Sequence, residues 1–436
     1  MNQPQLSQYY ASRKPSAIRL AQIEFMKRRD GCAAVNVAIG NVSLPMHPAL
    51  QRRLRTLGEA PSPFQAGVVA YSATIGTQEC QDAFRNVIAS SGCPTEGLRV
   101  LVTDGGSAAM ELLILGACGP AGSSERPLLL IDPAYTNYGA LAARVGRRTV
   151  SVRRVLGSDG RFSLPDLAAI ERVIAAERPG ALVVIPYDNP TGQFYRQEDL
   201  AALARLCVRH GLWLASDEAY RELSYGGGGP TSIWRLDEAS LPGIVGRRIS
   251  IETASKVWNA CGLRIGALVS DSPAFHEKAV AEYTANLCAN AIGQQIFGAL
   301  AHESHADLQA WYARQRDYYA GLLRAFTDEM HQRLPGIVVS SPDAALYSVI
   351  DVRDIARPDF DAVEFVTFCA RDGRVELSGK PWTLLVAPMA GFYSFAPGEN
   401  DPGRTQMRIA YVETPERMAL VPQLFAELLG QYERAR

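Results

Sequence analysis

From about residue 98 the chain alternates short apolar runs with stretches of helical spacing. The pairs in chain order are "LRVLVT" with "GSAAMELLILGACG", "RPLLLID" with "YTNYGALAARVG", and "GALVVIPY" with "RQEDLAALARLCVRHG", which leads into "LWLASDE". Unbroken apolar strands separated by helices are typical of a parallel sheet that is covered on both faces. The pattern therefore predicts an α/β fold with a mostly parallel central sheet flanked by helices.

The last third of the chain has a less regular pattern. It opens with a long helical stretch and continues with the strand-like pieces "GIVVS", "LYSVIDV" and "QMRIAYV" before a final helix. We expect residues 307–436 to form a smaller α+β domain that is completed by the N-terminal segment 1–50. Residues 51–306 are then the large domain.

Composition narrows the class of protein without choosing a reaction. The chain has 436 residues, a net charge of −1, 47% hydrophobic residues and eight scattered cysteines without zinc or redox spacing. This charge gives no reason to bind nucleic acid or an anionic membrane, and no apolar stretch reaches the roughly 18 residues of a membrane span. We expect a cytoplasmic enzyme for small molecules, with no metal site and no nucleic-acid or membrane partner.

Polar residues follow four of the predicted strands, in the turns "TDGGS", "DPAY", "YDNPTG" and "SDEAY". In open α/β sheets, ligands bind outside the carboxyl ends of the strands. The four turns are therefore expected to converge on one site.

The segment 251–266, "IETASKVWNACGLRIG", places one of only five lysines, Lys256, among hydroxyl residues. A lysine acts as a covalent catalyst when its amine is kept available for a Schiff base. The hydroxyls of Thr253 and Ser255 and the guanidinium of Arg264 would form a cradle for a phosphate. Lysine chemistry beside a phosphate cradle indicates pyridoxal phosphate, although this segment alone also fits a surface lysine on a polar loop.

The other turns supply complementary groups. Gly106 and Ser107 begin a helix, whose free N–H groups favour a phosphate. Asp217 could keep a pyridine nitrogen protonated, and Tyr220 and Asn189 could donate hydrogen bonds to a ring oxygen. Taken singly, each has a plain structural interpretation: a glycine-rich turn, a helix N-cap or a simple turn.

The motifs "DNPTG", "SDEAY" and "ASKVWNACGLRIG", in this order and spacing, closely resemble the class I/II aminotransferases, which are pyridoxal-phosphate enzymes of fold type I. The resemblance extends from about Gly40 to Arg408. It implies that Lys256 forms the Schiff base with the cofactor and later carries the proton. It also implies that Asp217 pairs with the pyridine nitrogen and that Asn189 and Tyr220 bind the ring oxygen.

The same resemblance implies the rest of the site. The phosphate would be held by Gly106, Ser107, Ala108, Ser255 and Arg264. Tyr135 would stack on the cofactor ring, and Tyr71 would reach the cofactor of a neighbouring subunit, which implies a homodimer with shared active sites. The substrate would be bound by Arg408 at its α-carboxylate, with Gly40 and Asn189 beside it.

Three functions remain open at this point. The first is a pyridoxal-phosphate-dependent aminotransferase that acts on an L-amino acid and a 2-oxo acid. The second keeps the cofactor but ends in elimination, replacement, cyclisation or oxidation of an amino acid. The third is a regulator that uses such a domain as a ligand sensor, which is disfavoured because no basic helix-turn-helix pattern precedes the motifs. The residues do not identify the amino donor.

Overall fold

The computed structural model of the protein describes residues 4–123, 126–227, 229–394 and 401–435. Within these residues the α-helices are α1 Gln8–Ser12, α2 Ala17–Met26, α3 Pro48–Arg55, α4 Gln78–Ser90, α5 Gly106–Cys118, α6 Thr136–Arg144, α7 Leu167–Glu177, α8 Gln197–His210, α9 Pro273–Tyr283, α10 Ala291–Phe297, α11 His305–Arg333, α12 Ala362–Arg371, α13 Pro415–Met418 and α14 Val421–Arg434. The strands are β1 Ala33–Asn36, β2 Arg99–Thr103, β3 Leu128–Asp132, β4 Thr149–Arg153, β5 Ala181–Val184, β6 Trp213–Asp217, β7 Arg248–Thr253, β8 Gly266–Ser270, β9 Val338–Val339, β10 Tyr347–Asp351, β11 Val375–Leu377, β12 Lys380–Leu385, β13 Ala387–Pro388 and β14 Gln406–Ala410.

The large sheet of the described residues has seven strands in the order β2-β8-β7-β6-β5-β3-β4. Strand β8 is antiparallel to both neighbours, and the other pairs are parallel. All residues of β3 and β5 are buried, because helices cover both faces of these apolar strands. The predicted α/β fold with a mostly parallel central sheet is confirmed.

Two smaller sheets are formed by the N-terminal and C-terminal parts of the described chain. One has the order β13-β14-β10-β9, and the other has the order β1-β12-β11. Strand β1 is parallel to β12, with Ala33 opposite Trp382 and Asn36 opposite Leu385. The N-terminal segment therefore shares a sheet with the C-terminal region, and α2 packs against α12.

The strand order and direction place the four polar turns at one end of the sheet, where the parallel strands have their C-termini. Strands β2, β3, β5 and β6 run in the same direction, so the turns that follow them lie at the same end of the sheet. Strand β10 of a smaller sheet is fixed beside these turns by the segment that precedes it. In that segment the Asp343 N–H donates to the Gly192 carbonyl and the Ala345 N–H donates to the Leu223 carbonyl, both at 2.9 Å.

Among the described residues, no helix is both long and apolar enough to span a bilayer.

Candidate active site

A cavity of about 280 Å³ lies at the C-terminal ends of the parallel strands of the central sheet. All but two of the residues predicted for the site line this cavity. They are Gly40, Gly106, Ser107, Tyr135, Asn189, Asp217, Tyr220, Ser255, Lys256, Arg264 and Arg408. The structure thus brings together residues that are spread over most of the chain.

The two predicted residues outside the cavity lining are Ala108 and Tyr71. Ala108 lies half-buried in the first turn of α5, where its N–H donates to the Gly105 carbonyl at 3.2 Å. The Tyr71 side chain is 79% exposed. Contact of Tyr71 with a second subunit stays a prediction.

Lys256 follows strand β7 and extends its amine into the cavity. Its Nζ donates a hydrogen bond to the carbonyl oxygen of Gly40. A Cβ added to Gly40 would lie 3.1 Å from this Nζ and would collide with the hydroxyl of Tyr347. A residue larger than glycine at position 40 would therefore fill the space next to the Lys256 amine.

The start of helix α5 forms the anion-binding side of the cavity. Its N-cap, Gly105, has a φ of 82° and offers no side chain to the first N–H groups of the helix, which a ligand could therefore use. Arg264 packs so closely that a Cβ on Gly105 would lie 2.5 Å from Arg264 Nη2. Thr253 Oγ1 donates to Ser255 Oγ at 2.8 Å nearby. Amide, hydroxyl and guanidinium groups together fit a phosphate dianion.

The carboxyl group of Asp217 lies at the end of β6 and accepts two hydrogen bonds. Tyr138 Oη donates to Asp217 Oδ2 at 2.5 Å, and the Ala219 N–H donates to Oδ1 at 3.1 Å. Burial raises the pKa of Asp217, and the Tyr138 hydrogen bond opposes that rise. A cationic ring nitrogen in the cavity would favour the ionised carboxylate.

Tyr138 was not predicted from the sequence as a residue of the site. It comes three residues after Tyr135, which is the N-cap of α6, so the two side chains lie about one helical turn apart. Their rings meet edge to face with centroids 5.5 Å apart. Burial raises the pKa of Tyr135 to about 12, so this phenol stays neutral. The i, i+3 spacing in the sequence indicates that Tyr138 lies near Tyr135, but it does not reveal the contact with Asp217.

Arg408 in β14 is buried and lines the same cavity. Its Nη1 donates to Asn189 Oδ1 at 2.9 Å and its Nη2 donates to the Ala38 carbonyl at 2.7 Å. The guanidinium carbon lies 4.5 Å from the ring centre of Tyr347 and 4.9 Å from that of Phe392. The Nε is buried and donates to no described residue. This donor suits a carboxylate ligand.

A chain of hydrogen bonds continues from Arg408 across the cavity. Asn189 Nδ2 donates to Tyr220 Oη at 3.3 Å, and Tyr220 Oη lies 2.8 Å from Tyr347 Oη. Burial raises the pKa of Tyr220 well above its ordinary value, so Tyr220 remains a hydrogen-bond donor. The sequence did not place Tyr347 or Phe392 in the site.

These groups define the ligand that the cavity suits. The ligand has a phosphate at one end and a protonatable ring nitrogen near Asp217. It also carries a carbonyl group within reach of Lys256, and beside it the cavity has room for a second molecule with a carboxylate. Pyridoxal phosphate and an amino acid have these features.

Comparison with protein families gives one match that covers most of the chain. The model of the family described as aminotransferase class I and II matches residues 67–371.

Individual relatives agree with this match. The aspartate/prephenate aminotransferase of Thermus thermophilus is 26% identical over 98% of this chain and 99% of its own length. A solved structure of the T. thermophilus aspartate aminotransferase with maleate has a TM-score of 0.78 at 21% identity, covering 98% of this chain and all of that one. The N-succinyldiaminopimelate aminotransferase of Mycobacterium tuberculosis has a TM-score of 0.76 at 23% identity, with the same coverage. Both structures share the fold described above.

Proposed function

This chain belongs to the class I and II aminotransferases, and we propose that it transfers the amino group of an L-amino acid to a 2-oxo acid in the cavity around Lys256. Enzymes of this family depend on pyridoxal phosphate, and this chain is such an aminotransferase. The observation that carries the proposal is the placement of the Lys256 amine, the Asp217 carboxyl group and the Arg408 guanidinium around one cavity.

The residues of the cavity provide a place for each part of the cofactor. Lys256 would be the covalent attachment point, and Asp217 would hold the ring nitrogen. Asn189 and Tyr220 would donate to the ring oxygen, and Tyr135 would support the ring. The phosphate would be held by Gly106, Ser107, Ser255 and Arg264, whereas the Ala108 N–H already donates to the Gly105 carbonyl. Once bound, pyridoxal phosphate supplies an electron sink for the negative charge that is left on the substrate α-carbon.

The substrate is held and deprotonated by residues of this chain. Arg408 binds the α-carboxylate through its fork of N–H groups, and its hydrogen bond to Asn189 fixes the plane of that fork. Gly40 leaves room beside the Lys256 amine, so the substrate α-carbon can approach Nζ. Once the amino group of the substrate has displaced it from the cofactor, the freed Lys256 amine would remove the α-proton as a general base.

Transamination is favoured over elimination and replacement by the amine and carboxyl groups of the cavity. Among the described residues that line it, Lys256 is the only amine and Asp217 the only carboxyl group. Asp217 is assigned to the ring nitrogen, which leaves Lys256 as the proton carrier. Elimination or replacement would require a further acid for the leaving group.

The organisation of the enzyme is also part of the proposal. We propose a large domain of residues 51–306 and a small domain of residues 307–436 completed by residues 1–50, on the basis of the β1–β12 pairing. A homodimer, in which Tyr71 reaches the cofactor of the partner subunit, is supported by the exposure of Tyr71. A cytoplasmic location is supported by the cysteines, all eight of which are free.

A single-turnover experiment tests the reaction. The purified enzyme is mixed with one amino acid in the absence of a 2-oxo acid, and the product is identified by mass. We expect about one equivalent of 2-oxo acid per subunit, because no acceptor regenerates the enzyme, and continued turnover once a 2-oxo acid is added. Lys256→Ala should give no product, whereas Lys278→Ala, which removes an exposed lysine that pairs with Glu277, should behave as the wild type.

Repeated turnover without an acceptor would contradict transamination. Release of ammonia, a cyclised product or peroxide under these conditions would establish elimination, cyclisation or oxidation instead.

A further inference from the structure

We propose that Tyr347 is a positioning residue whose hydroxyl donates to Tyr220 and so directs the Tyr220 proton toward the ring oxygen of the cofactor. The proposal rests on the proposed function only in requiring the cofactor at Lys256. It does not depend on which amino acid is the substrate or on how the reaction ends.

Tyr347 is the first residue of β10, and it is buried with its side chain on the cavity. Its hydroxyl lies 2.8 Å from Tyr220 Oη, and the two rings meet at 80° with centroids 5.6 Å apart. The same ring packs against the guanidinium of Arg408. Tyr347 therefore contacts both Tyr220, which would face the cofactor, and Arg408, which would face the substrate.

Counting donors and acceptors assigns the direction of the Tyr347–Tyr220 hydrogen bond. Arg408 donates to Asn189 Oδ1, which turns the Asn189 amide so that its Nδ2 donates to Tyr220. Tyr220 has a single proton and accepts from Asn189. If Tyr220 gave that proton to Tyr347, it would have none for a ligand in the cavity.

An anionic ring oxygen resolves this competition. A phenol donates more strongly to a charged oxygen than to a neutral one, so Tyr220 donates to the cofactor and Tyr347 must be the donor to Tyr220. Among the described residues, Tyr220 is the one hydrogen-bond partner of the Tyr347 hydroxyl. With its oxygen accepting from both Asn189 and Tyr347, Tyr220 becomes a stronger donor to the ring oxygen.

The backbone around Tyr347 holds this geometry in place. Asp343 and Ala344 N–H groups donate to the Gly192 carbonyl at 2.9 and 2.8 Å, and the Ala345 N–H donates to the Leu223 carbonyl at 2.9 Å. Gly192 belongs to the turn that carries Asn189, and Leu223 follows Tyr220. The segment before Tyr347 is thus hydrogen-bonded to the turn that carries Asn189 and to the turn that carries Tyr220.

The consequence is measurable in the bound cofactor. A hydrogen bond donated to the ring oxygen withdraws negative charge from it and lowers the proton affinity of the nitrogen that joins the cofactor to Lys256. Loss of the Tyr347 hydroxyl weakens the Tyr220 donation, so that nitrogen should be protonated up to a higher pH.

The test is a pH titration of the visible absorbance of the holoenzyme. Tyr347→Phe should raise the midpoint by roughly half a pH unit to one unit, which is the size expected for one hydrogen bond. The KM for the amino acid should change by less than about twofold, because phenylalanine keeps the ring against Arg408. Tyr411→Phe is the matched control: Tyr411 is a buried tyrosine whose hydroxyl lies 2.8 Å from that of Ser348, the residue after Tyr347. It should leave the midpoint unchanged.

A double-mutant cycle provides the second measurement. When Tyr220→Phe has removed the Tyr220 hydroxyl, Tyr347→Phe should cause no further shift, because the relay is already broken. Additive shifts, or a Tyr347→Phe midpoint equal to that of the wild type, would overturn the proposal. A wild-type protein that shows no visible absorbance after addition of pyridoxal phosphate would instead refute cofactor binding at Lys256 and, with it, the proposed function.

Discussion

Burial and hydrogen bonding shift the pKa of Asp217 in opposite directions. Burial raises its pKa, and the 2.5 Å hydrogen bond from Tyr138 is the largest effect that lowers it. An ionised Asp217 is required to keep a ring nitrogen protonated, since a neutral carboxylic acid offers no charge to that proton. Tyr138 therefore supports cofactor binding without being assigned a contact with the cofactor.

Replacement of Tyr138 by phenylalanine should weaken cofactor binding about tenfold, the effect of losing one charge-assisted hydrogen bond of about 1.4 kcal/mol. The measurement is titration of the apoenzyme with pyridoxal phosphate, followed by absorbance. Tyr319→Phe is a suitable control, because the buried hydroxyl of Tyr319 hydrogen-bonds to no described residue. Equal affinities for the two variants would show that Tyr138 does not support Asp217.

A second buried acid, Glu218, lies next to Asp217 but faces away from the described cavity lining. Its Oε1 accepts from Ser216 Oγ at 2.8 Å, and its Oε2 lies 3.4 Å from Arg221 Nη2. The same Arg221 atom binds Glu252 at 2.6 Å, so two carboxyl groups share one guanidinium. Burial raises the pKa of Glu218 to about 7, against the attraction of Arg221.

This shift predicts a pH-dependent stability. The folded-state pKa exceeds the ordinary value of 4.5, so the folded protein binds more protons than the unfolded chain between about pH 4.5 and 7. The free energy of unfolding should therefore fall as pH rises through this window, by about 1.4 kcal/mol per pH unit from this group. Glu218→Gln should remove that slope in urea titrations. Glu277→Gln, at an exposed ion pair, should retain it. A slope that persists in Glu218→Gln would assign the effect to other groups.

The residues that sequence reasoning found and those it missed differ in the origin of their signal. Lys256, Asn189 and Asp217 each lie in a compact motif, where neighbouring residues already suggest the chemistry. Tyr138 meets Asp217 across 79 positions, and Tyr347 meets Tyr220 across 127 positions. Such contacts depend on strand order and register, which a local pattern does not contain.

At the scale of elements, two of the turns around the cavity are joined by a buried ion pair. Arg154, just after β4, pairs with Asp188 at 2.8 Å and donates to the Pro133 carbonyl at the same distance. Both charged side chains are almost fully buried. Because Asp188 precedes Asn189 and Pro133 lies two residues before Tyr135, this pair holds the "YDNPTG" turn against the "DPAY" turn.

Asp188→Asn should lower the free energy of unfolding by about 3 kcal/mol, because it leaves the buried charge of Arg154 without its counterion. The measurement is the urea midpoint. Asp343→Asn is the control: it breaks another Arg–Asp pair, at 3.1 Å with Arg161, but that pair is exposed and should contribute at most about 1 kcal/mol. Similar losses in both variants would mean that Arg154 is satisfied by its other acceptors.

Two of the fully buried strands, β3 and β5, were predicted from their apolar runs, whereas β8, which is also fully buried, was not predicted. The runs of β3 and β5 are unbroken, and they are strands with every residue buried. Strand β4 was not predicted because polar residues interrupt its sequence, "TVSVR", which is only partly buried at the edge of the sheet. No element was predicted for residues Met389–Phe392, which form a short 3₁₀ helix that brings Phe392 against Arg408.

At the scale of the whole molecule, an exposed apolar surface supports the proposed homodimer. It comprises Val68, Val69, Tyr71, Leu287 and Ile292. The two chain segments that carry these residues are joined by a 2.8 Å hydrogen bond from Thr74 Oγ1 to the Leu287 carbonyl. Clustered exposed apolar side chains mark interaction surfaces. A second copy covering this surface would place Tyr71 against another subunit.

Leu287→Glu should convert the proposed homodimer to a monomer, because it places a charge in the apolar surface that the second copy would cover. Light scattering measures the mass. Leu167→Glu is the matched control: Leu167 is also an exposed leucine, but it begins helix α7, where an acidic residue is tolerated, so this variant should remain a dimer. A wild-type protein that is an active monomer would exclude the homodimer.

Mixing two inactive subunits tests the sharing of active sites directly. Lys256→Ala lacks the proposed attachment point of the cofactor, and Tyr71→Ala lacks the side chain that is proposed to reach the partner subunit, so each homodimer should be inactive. After subunit exchange, a site that combines Lys256 of one subunit with Tyr71 of the partner subunit is intact. We expect recovery of about one quarter of wild-type activity, the statistical share of such sites in an equal mixture of two-fold dimers. If exchange is shown by mass and no activity returns, Tyr71 acts within its own subunit or not at all.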